Sequence, residues 1–122
     1  MTILAAVAIG FVAALHLVFL VLESFLWTKP LGRKIFRLSP ADTAATASLA
    51  KNQGLYNGFL AAGLVWSLLA GGAEGFHIAV FFLSCVIVAG IVGGITAKRS
   101  ILWMQALPGV VAMALLFLAH RG

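Results

Sequence analysis

Four apolar stretches, each long enough to cross a membrane, take up most of this chain. They cover about residues 3–27, 51–70, 77–97 and 101–119. A transmembrane helix needs roughly 20 predominantly apolar residues, because its backbone must cross the hydrocarbon core with its hydrogen bonds satisfied internally. Only 9% of the residues are charged and 63% are hydrophobic, which excludes an ordinary water-soluble domain. The sequence therefore predicts an all-α integral membrane protein, with a single four-helix transmembrane domain over residues 1–122.

The basic residues predict the orientation of this four-helix bundle. Seven of the eight lie in two segments, residues 29–51 and 98–99, and Arg121 is the other. Because cytoplasmic loops carry an excess of Lys and Arg, both segments are expected in the cytoplasm and both termini outside. An odd number of spans would spoil this agreement. We expect a multi-pass membrane protein whose partner is the lipid bilayer, and no nucleic-acid partner, since the chain has no extended basic surface.

A short amphipathic segment is predicted on the cytoplasmic side, between the first two spans. At about 100° per residue, Leu31 and Ile35 lie on one side of a helix and Arg33 and Lys34 on the other. This pattern suits a helix in the membrane interface with its bases toward anionic lipid; a stop-transfer charge cluster is the alternative. The sequence Ser-Pro-Ala-Asp at 39–42 then offers an N-cap, a first-turn proline and a first-turn acid. We therefore expect a long helix to begin there.

Polar side chains gather near the cytoplasmic ends of the predicted spans. An ionisable group costs about 2.5–3.5 kcal/mol near the centre of a membrane helix, so each one is a candidate for function. Glu23 lies four residues before Trp27, an expected interfacial anchor, and His16 lies on the same face two turns deeper. Pro108, in the fourth span, is expected to kink the helix. The predicted ligand-binding residues are His16, Glu23, Asn52, Gln53, Tyr56, Asn57 and Gln105.

The depth of these residues suggests a shared site. Counted from the cytoplasmic boundary, six polar residues from all four helices fall in one slab: Glu23, Gln53, Tyr56, Asn57, Thr96 and Gln105. Hydrogen bonds that only hold the helices together are one interpretation. We favour a cytoplasm-facing pocket that binds or transports a small polar, cationic or lipid-derived ligand. The alternatives are a membrane-embedded enzyme with isomerase-like acid–base chemistry, in which His16 or Tyr56 assists Glu23, and a structural or assembly protein.

Small residues predict where helices approach closely. Gly54 and Gly58 lie four residues apart in the second span, and Gly90 and Gly94 do so in the third. Close packing of these two helices is the plain interpretation, and homodimerisation through either pair is the alternative. At the outer face, the residues Glu74, His77 and His120 have no specific ligand spacing, so we expect no metal site. No cofactor-binding motif is present in the sequence.

The same residues carry a family resemblance. His16, Glu23 and Trp27, the run Asn-Gln-Gly-Leu-Tyr-Asn-Gly at 52–58, and Gln105 with Pro108 follow the pattern of a family of small bacterial membrane proteins. The chain resembles the family known as domain of unknown function thirteen-oh-four over nearly its whole length. The resemblance implies a four-span membrane protein with the polar cluster as its signature, and it implies no reaction.

Overall fold

The structure of the chain, a computed structural model, describes residues 1–121, and every regular element in that range is helical. The elements are α1 (Ile3–Ser24), α2 (Pro30–Phe36), α3 (Pro40–Ala70), α4 (Gly72–Thr96), a π-helical segment (Leu102–Ala106) and α5 (Leu107–Arg121). The predicted all-α class is therefore confirmed.

Three helices are long and apolar enough to cross a membrane: Ile3–Ser24, Gly72–Thr96 and Leu102–His120. They correspond to the first, third and fourth predicted spans. The second predicted span, 51–70, lies inside α3, which does not reach the same apolarity because it carries the polar run at 51–58. The four-span bundle, with both termini outside, stays a prediction.

The short segment between α1 and α3 folds as its sequence predicts. Residues 30–36 form a helix that begins at a proline. The backbone N–H of Asp42 donates a hydrogen bond to the Ser39 hydroxyl oxygen across 3.1 Å, so Ser39 acts as the predicted N-cap of α3. From Pro40 the helix runs unbroken for 31 residues, which is about 46 Å at the usual rise.

Two compact units divide the chain. One comprises Met1–Ala14 and the chain from Leu60 onward, and the other comprises Leu15–Phe59. The expectation of one domain over 1–122 stays a prediction. In the first unit, apolar side chains from α1, α3, α4 and α5 form a buried core: Ile9, Val12, Ala13, Leu64, Ala79, Leu83, Val86, Ala112 and Leu116.

Glycines set the close contacts of the first unit. Gly71 and Gly72 have φ of 64° and 57°, which makes the tight turn between α3 and α4. A Cβ at Gly90 would lie 2.5 Å from the backbone nitrogen of Ala106. A Cβ at Gly94 would lie 2.3 Å from Cγ of Leu102. The Gly90 and Gly94 face of α4 therefore packs on the π-helical segment of the same chain.

Candidate functional site

One face of α1 carries the predicted stripe of functional side chains in the second unit. His16 is fully buried, and its ring meets that of Phe19 edge-on at a centroid distance of 5.3 Å. Glu23, near the end of α1, and Trp27, in the turn that follows it, are half-buried. Glu23 accepts a hydrogen bond from Asn57 and Trp27 donates one to Thr46, so both side chains face α3.

The opposing face of α3 is a seam of small and polar residues. Thr43, Ala50 and Asn57 are buried at seven-residue intervals, and Gly54 is buried between the last two. Seven residues make nearly two full turns, so these positions share one face of the helix. The predicted ligand-binding residue on this seam is Asn57, only 4% exposed.

Glu23 and Asn57 form the centre of the site. The side-chain amide nitrogen of Asn57 donates a hydrogen bond to Oε1 of Glu23. Among the described residues, Asn57 is the one hydrogen-bond partner of Glu23. A hydrogen bond to an ionised carboxylate is stronger than one between neutral groups. The pair brings together two of the seven predicted residues, 34 positions apart in the sequence.

Two further hydrogen bonds flank this pair, and sequence reasoning missed both. The hydroxyl of Ser24 donates to the carbonyl oxygen of Lys51 across 3.0 Å. The indole Nε1 of Trp27 donates to the hydroxyl of Thr46, also across 3.0 Å. Thr46 lies four residues before Ala50 on α3, and that spacing was a signal that it shares the seam.

Gly54 allows the backbones of α1 and α3 to approach each other closely. A Cβ at this position would lie 2.2 Å from the Ser24 hydroxyl oxygen and 3.1 Å from the carbonyl oxygen of Leu20. At Gly58 a Cβ would be in ordinary contact, 3.4 Å from a methyl group of Leu20. The expectation that Gly54 packs on the third span is therefore wrong, since its nearest neighbours belong to α1. Homodimerisation through these glycines stays a prediction.

Three other predicted residues of α3 lie away from the Glu23–Asn57 pair. Asn52, Gln53 and Tyr56 are exposed, and the Tyr56 ring meets that of Phe59 edge-on at 5.8 Å. If Asn52 is placed at 0°, Tyr56 lies at about 40° and Gln53 at about 100°, whereas the buried seam is centred near 160°. The polar arc of the helix is thus displaced from its buried face, and only Asn57 belongs to both.

The predicted residues of the other compact unit are described separately. Gln105 is half-buried in the π-helical segment. The exposed Thr96 donates its hydroxyl hydrogen bond to the carbonyl oxygen of Val92, 2.7 Å away on its own helix. Such a bond to the preceding turn satisfies a hydroxyl without any interhelical partner. The common slab of six residues from four helices stays a prediction.

His16 and Glu23 lie two turns apart on α1, and no contact joins them directly in the arrangement described above. Seven residues of α-helix separate their backbones by about 10 Å. General acid–base catalysis needs both groups within hydrogen-bond reach of the reacting atoms. The contact seen at Glu23 is the carboxyl–amide pair with Asn57, and a joint role of His16 and Glu23 in acid–base chemistry stays a prediction.

The end of the first unit where α4 begins contains an open cavity of about 250 Å³. Its lining includes Phe76, Leu116 and His120, and none of the seven predicted ligand-binding residues. The His120 ring stacks on Phe76 at a centroid distance of 3.9 Å, and the His77 ring meets Phe76 edge-on at 5.5 Å. Within residues 1–121, no group of three or more His, Cys, Asp or Glu side chains is placed to hold a metal ion.

Comparisons with known proteins find relatives for which no chemistry is described. The family described as protein of unknown function (DUF1304) matches residues 10–117. An uncharacterized protein, YpaA, of Lactococcus lactis subsp. lactis (strain IL1403) is 26% identical over 118 residues, which cover 95% of this chain and 97% of the relative. No solved structure matches the chain.

Proposed function

This chain belongs to the DUF1304 family, whose description names no reaction, and we propose that it is a small membrane protein that binds or transports a ligand at Glu23 and Asn57. The ligand is small and polar, cationic or lipid-derived, and an organic cation suits the site best. It reaches the site from the cytoplasmic side of a bacterial inner membrane.

The observation that carries this proposal is the half-buried carboxyl group of Glu23 with one uncharged partner. A carboxylate has about four acceptor positions on its two oxygens, and Asn57 occupies one of them at Oε1. No fully buried side-chain nitrogen or oxygen lacks a hydrogen-bond partner among the described residues. In this proposal the ligand occupies the remaining acceptor positions of Glu23. A carboxylate inside a membrane helix is costly, and a bound cation offsets part of that cost.

A cytoplasmic location of the site requires α3 to cross the membrane as the fourth span. Lys51, whose carbonyl oxygen accepts a hydrogen bond from Ser24, marks the level of the end of α1. From there α3 continues for 19 residues to Ala70, about 28 Å, which matches a hydrocarbon core of roughly 30 Å. With four spans, the basic segments at 29–51 and 98–99 lie on the same side, as the positive-inside rule favours.

Cysteine accessibility in a variant without Cys85 tests this topology. We expect Lys34→Cys and Lys98→Cys to be labelled from the cytoplasm, and Ala73→Cys to be labelled from outside. Labelling of Ala73→Cys and Lys34→Cys from the same side contradicts the fourth span, because α3 then fails to cross. Labelling of Lys34→Cys from outside contradicts the cytoplasmic site.

Ligand binding is tested by thermal stabilisation of the purified protein with a panel of primary, quaternary and lipid-derived amines. Glu23→Gln keeps an oxygen that accepts from Asn57 but removes the charge, so the fold should persist while stabilisation by cations is lost. The matched control is Glu74→Gln, which removes an exposed carboxyl in the first turn of α4. Equal stabilisation of the wild-type protein and Glu23→Gln by every amine contradicts the proposal.

A structural role is the second candidate, and the flanking hydrogen bonds favour it. Three side-chain bonds, from Ser24, Trp27 and Asn57, join α1 to α3 over a short stretch of each helix. If the pair only holds these helices together, no amine will stabilise the protein. Glu23→Gln will then have the thermal stability of the wild-type protein, since the hydrogen bond is retained.

A further inference from the structure

We infer that the surface of α2 binds anionic phospholipid headgroups at the membrane. We define the α2 surface as the exposed residues Lys29, Leu31, Lys34, Ile35 and Arg37. This inference is independent of the ligand proposed for Glu23, because the α2 surface shares no residue with that site.

The first supporting observation is that α2 is held firmly against its neighbours, so its outward face is fixed. Gly32 is buried, and a Cβ there would lie 1.8 Å from the carbonyl oxygen of Leu26. On the same side, the Phe36 ring lies 4.7 Å from the Trp27 ring between centroids. The indole of Trp27 in turn donates its hydrogen bond to Thr46. This packing turns the opposite face of α2 outward.

The exposed face of α2 combines apolar and basic side chains. Leu31 and Ile35 are 54% and 47% exposed, and they lie one turn apart. Lys34 lies about 60° from Leu31 around the helix, on the side away from Ile35. It therefore borders the apolar pair and does not lie opposite it, which corrects the expectation from the sequence. An interfacial helix buries such apolar side chains at the headgroup boundary while its bases meet anionic lipid. A helix exposed only to water gains nothing from exposing Leu31 and Ile35.

The bases of this segment are not equivalent. Nη1 of Arg33 donates to the carbonyl oxygen of Thr28 across 2.7 Å, so its guanidinium serves the local fold. Lys29, Lys34 and Arg37 are exposed. The structure thus separates one structural base from three that face outward, a distinction that a stop-transfer charge cluster does not require.

Arg37 supplies the second, independent observation. It caps α2 in the left-handed conformation, with φ of 55° and ψ of 45°, and its backbone N–H donates to the Arg33 carbonyl oxygen. Glycine adopts this conformation without the penalty that a Cβ brings, and it is the usual residue at such a helix end. An arginine held there in a strained conformation points to a use for its guanidinium, which is suited to bidentate phosphate binding.

Lipid retention by the full-length protein tests the inference. The protein is incorporated into nanodiscs of equal parts phosphatidylglycerol and phosphatidylcholine, and the lipids that stay bound after transfer to detergent are measured by mass spectrometry. The wild-type protein should retain phosphatidylglycerol preferentially. Lys34→Gln with Arg37→Gln should weaken that preference by roughly fivefold for each base removed.

The matched control removes the same charge elsewhere. Lys98→Gln with Arg99→Gln changes the loop between α4 and the π-helical segment, and it should keep the preference. If this control loses the preference for phosphatidylglycerol equally, the inference is overturned, because general charge attraction then accounts for lipid retention. The inference is also overturned if the variant lacking the Lys34 and Arg37 charges keeps its full preference for phosphatidylglycerol.

Two further measurements separate lipid binding from folding and from free phosphate. Arg37→Gly relieves the left-handed strain, so its thermal stability should equal or exceed that of the wild-type protein while its preference falls. If Arg37→Gly keeps the full preference, Arg37 is not a headgroup ligand. Millimolar glycerol 3-phosphate should not displace phosphatidylglycerol; effective displacement identifies a site for soluble phosphate and overturns the membrane assignment.

Discussion

The hydroxyl of Thr46 joins Trp27 to the first turns of α3. It accepts a hydrogen bond from the indole Nε1 of Trp27 across 3.0 Å and donates one to the carbonyl oxygen of Asp42 across 2.7 Å. A hydroxyl has one donor and two acceptor positions, so the two bonds do not compete. The end of α1 is thereby tied to α3 by a residue whose own position is fixed by its helix.

Thr46→Val should destabilise the protein by about 1 kcal/mol, because it removes one hydrogen bond and leaves the indole N–H of Trp27 without this partner. The measurement is the free energy of unfolding in detergent micelles. Trp27→Phe provides the second variant of a double-mutant cycle. If the hydrogen bond is the source of the effect, Thr46→Val should lower the free energy of unfolding much less in the Trp27→Phe background. Strictly additive losses in the two variants contradict an energetic contribution from this hydrogen bond.

Gly54→Ala should destabilise the protein by about 1–3 kcal/mol, the usual cost of overpacking. The new Cβ would meet the Ser24 hydroxyl oxygen at 2.2 Å and the Leu20 carbonyl oxygen at 3.1 Å, and a backbone atom has little freedom to withdraw. The control is Gly58→Ala on the same helix, whose Cβ would find ordinary contact with Leu20 at 3.4 Å. Unfolding measurements that rank the two variants equally contradict the proposed close approach of α3 to α1.

Asn57→Leu should cost about 1–3 kcal/mol, because it leaves the half-buried carboxyl group of Glu23 without its hydrogen-bond donor. Replacing both partners by apolar residues removes that penalty, so Glu23→Met combined with Asn57→Leu should recover most of the stability. Unfolding in micelles provides the comparison. A double variant less stable than Asn57→Leu shows that Glu23 has another stabilising partner.

The buried face of α3 shows how far the sequence predicts the site. Its polar residues were expected to act together because they fall on one arc, yet only Asn57 faces α1. The face is centred instead on the small and polar residues Thr43, Ala50, Gly54 and Asn57, which let the two backbones approach. Packing space, more than hydrogen-bonding capacity, decides which side of a membrane helix turns inward. A search for small residues seven positions apart would have found this face.

Helix boundaries were predicted more accurately than helix interiors. Ser39 and Pro40 set the start of α3 through local capping chemistry, which depends only on adjacent residues. Pro108 was expected to kink its helix, and that kink stays a prediction. The structure has a π-helical segment at 102–106, just before the proline, where the N–H of Leu107 donates to the carbonyl oxygen of Leu102. The segment packs tightly on Gly90 and Gly94 of α4, a contact that the local sequence does not reveal.

That packing leads to a prediction for α4. At Gly90 a Cβ would lie 2.5 Å from the backbone nitrogen of Ala106 and 2.8 Å from its Cα, so the π-helical segment would have to move. At Gly109 the nearest atoms, 3.0 and 3.1 Å away, belong to the side chains of Ile87 and Val86, which have more freedom to adjust. Gly90→Ala should therefore lose about 1–3 kcal/mol of stability, and Gly109→Ala should lose less.

Amide hydrogen exchange shows whether the stability lost in Gly90→Ala comes from the local contact with Ala106 or from a general weakening of the fold. In Gly90→Ala, faster exchange should concentrate in residues 102–107, because displacement of the segment breaks the bond from Leu107 to Leu102 first. In Gly109→Ala, exchange in the same residues should stay close to that of the wild-type protein. Uniformly faster exchange along α4 and α5 in Gly90→Ala contradicts a local contact between Gly90 and Ala106 as the origin of the effect.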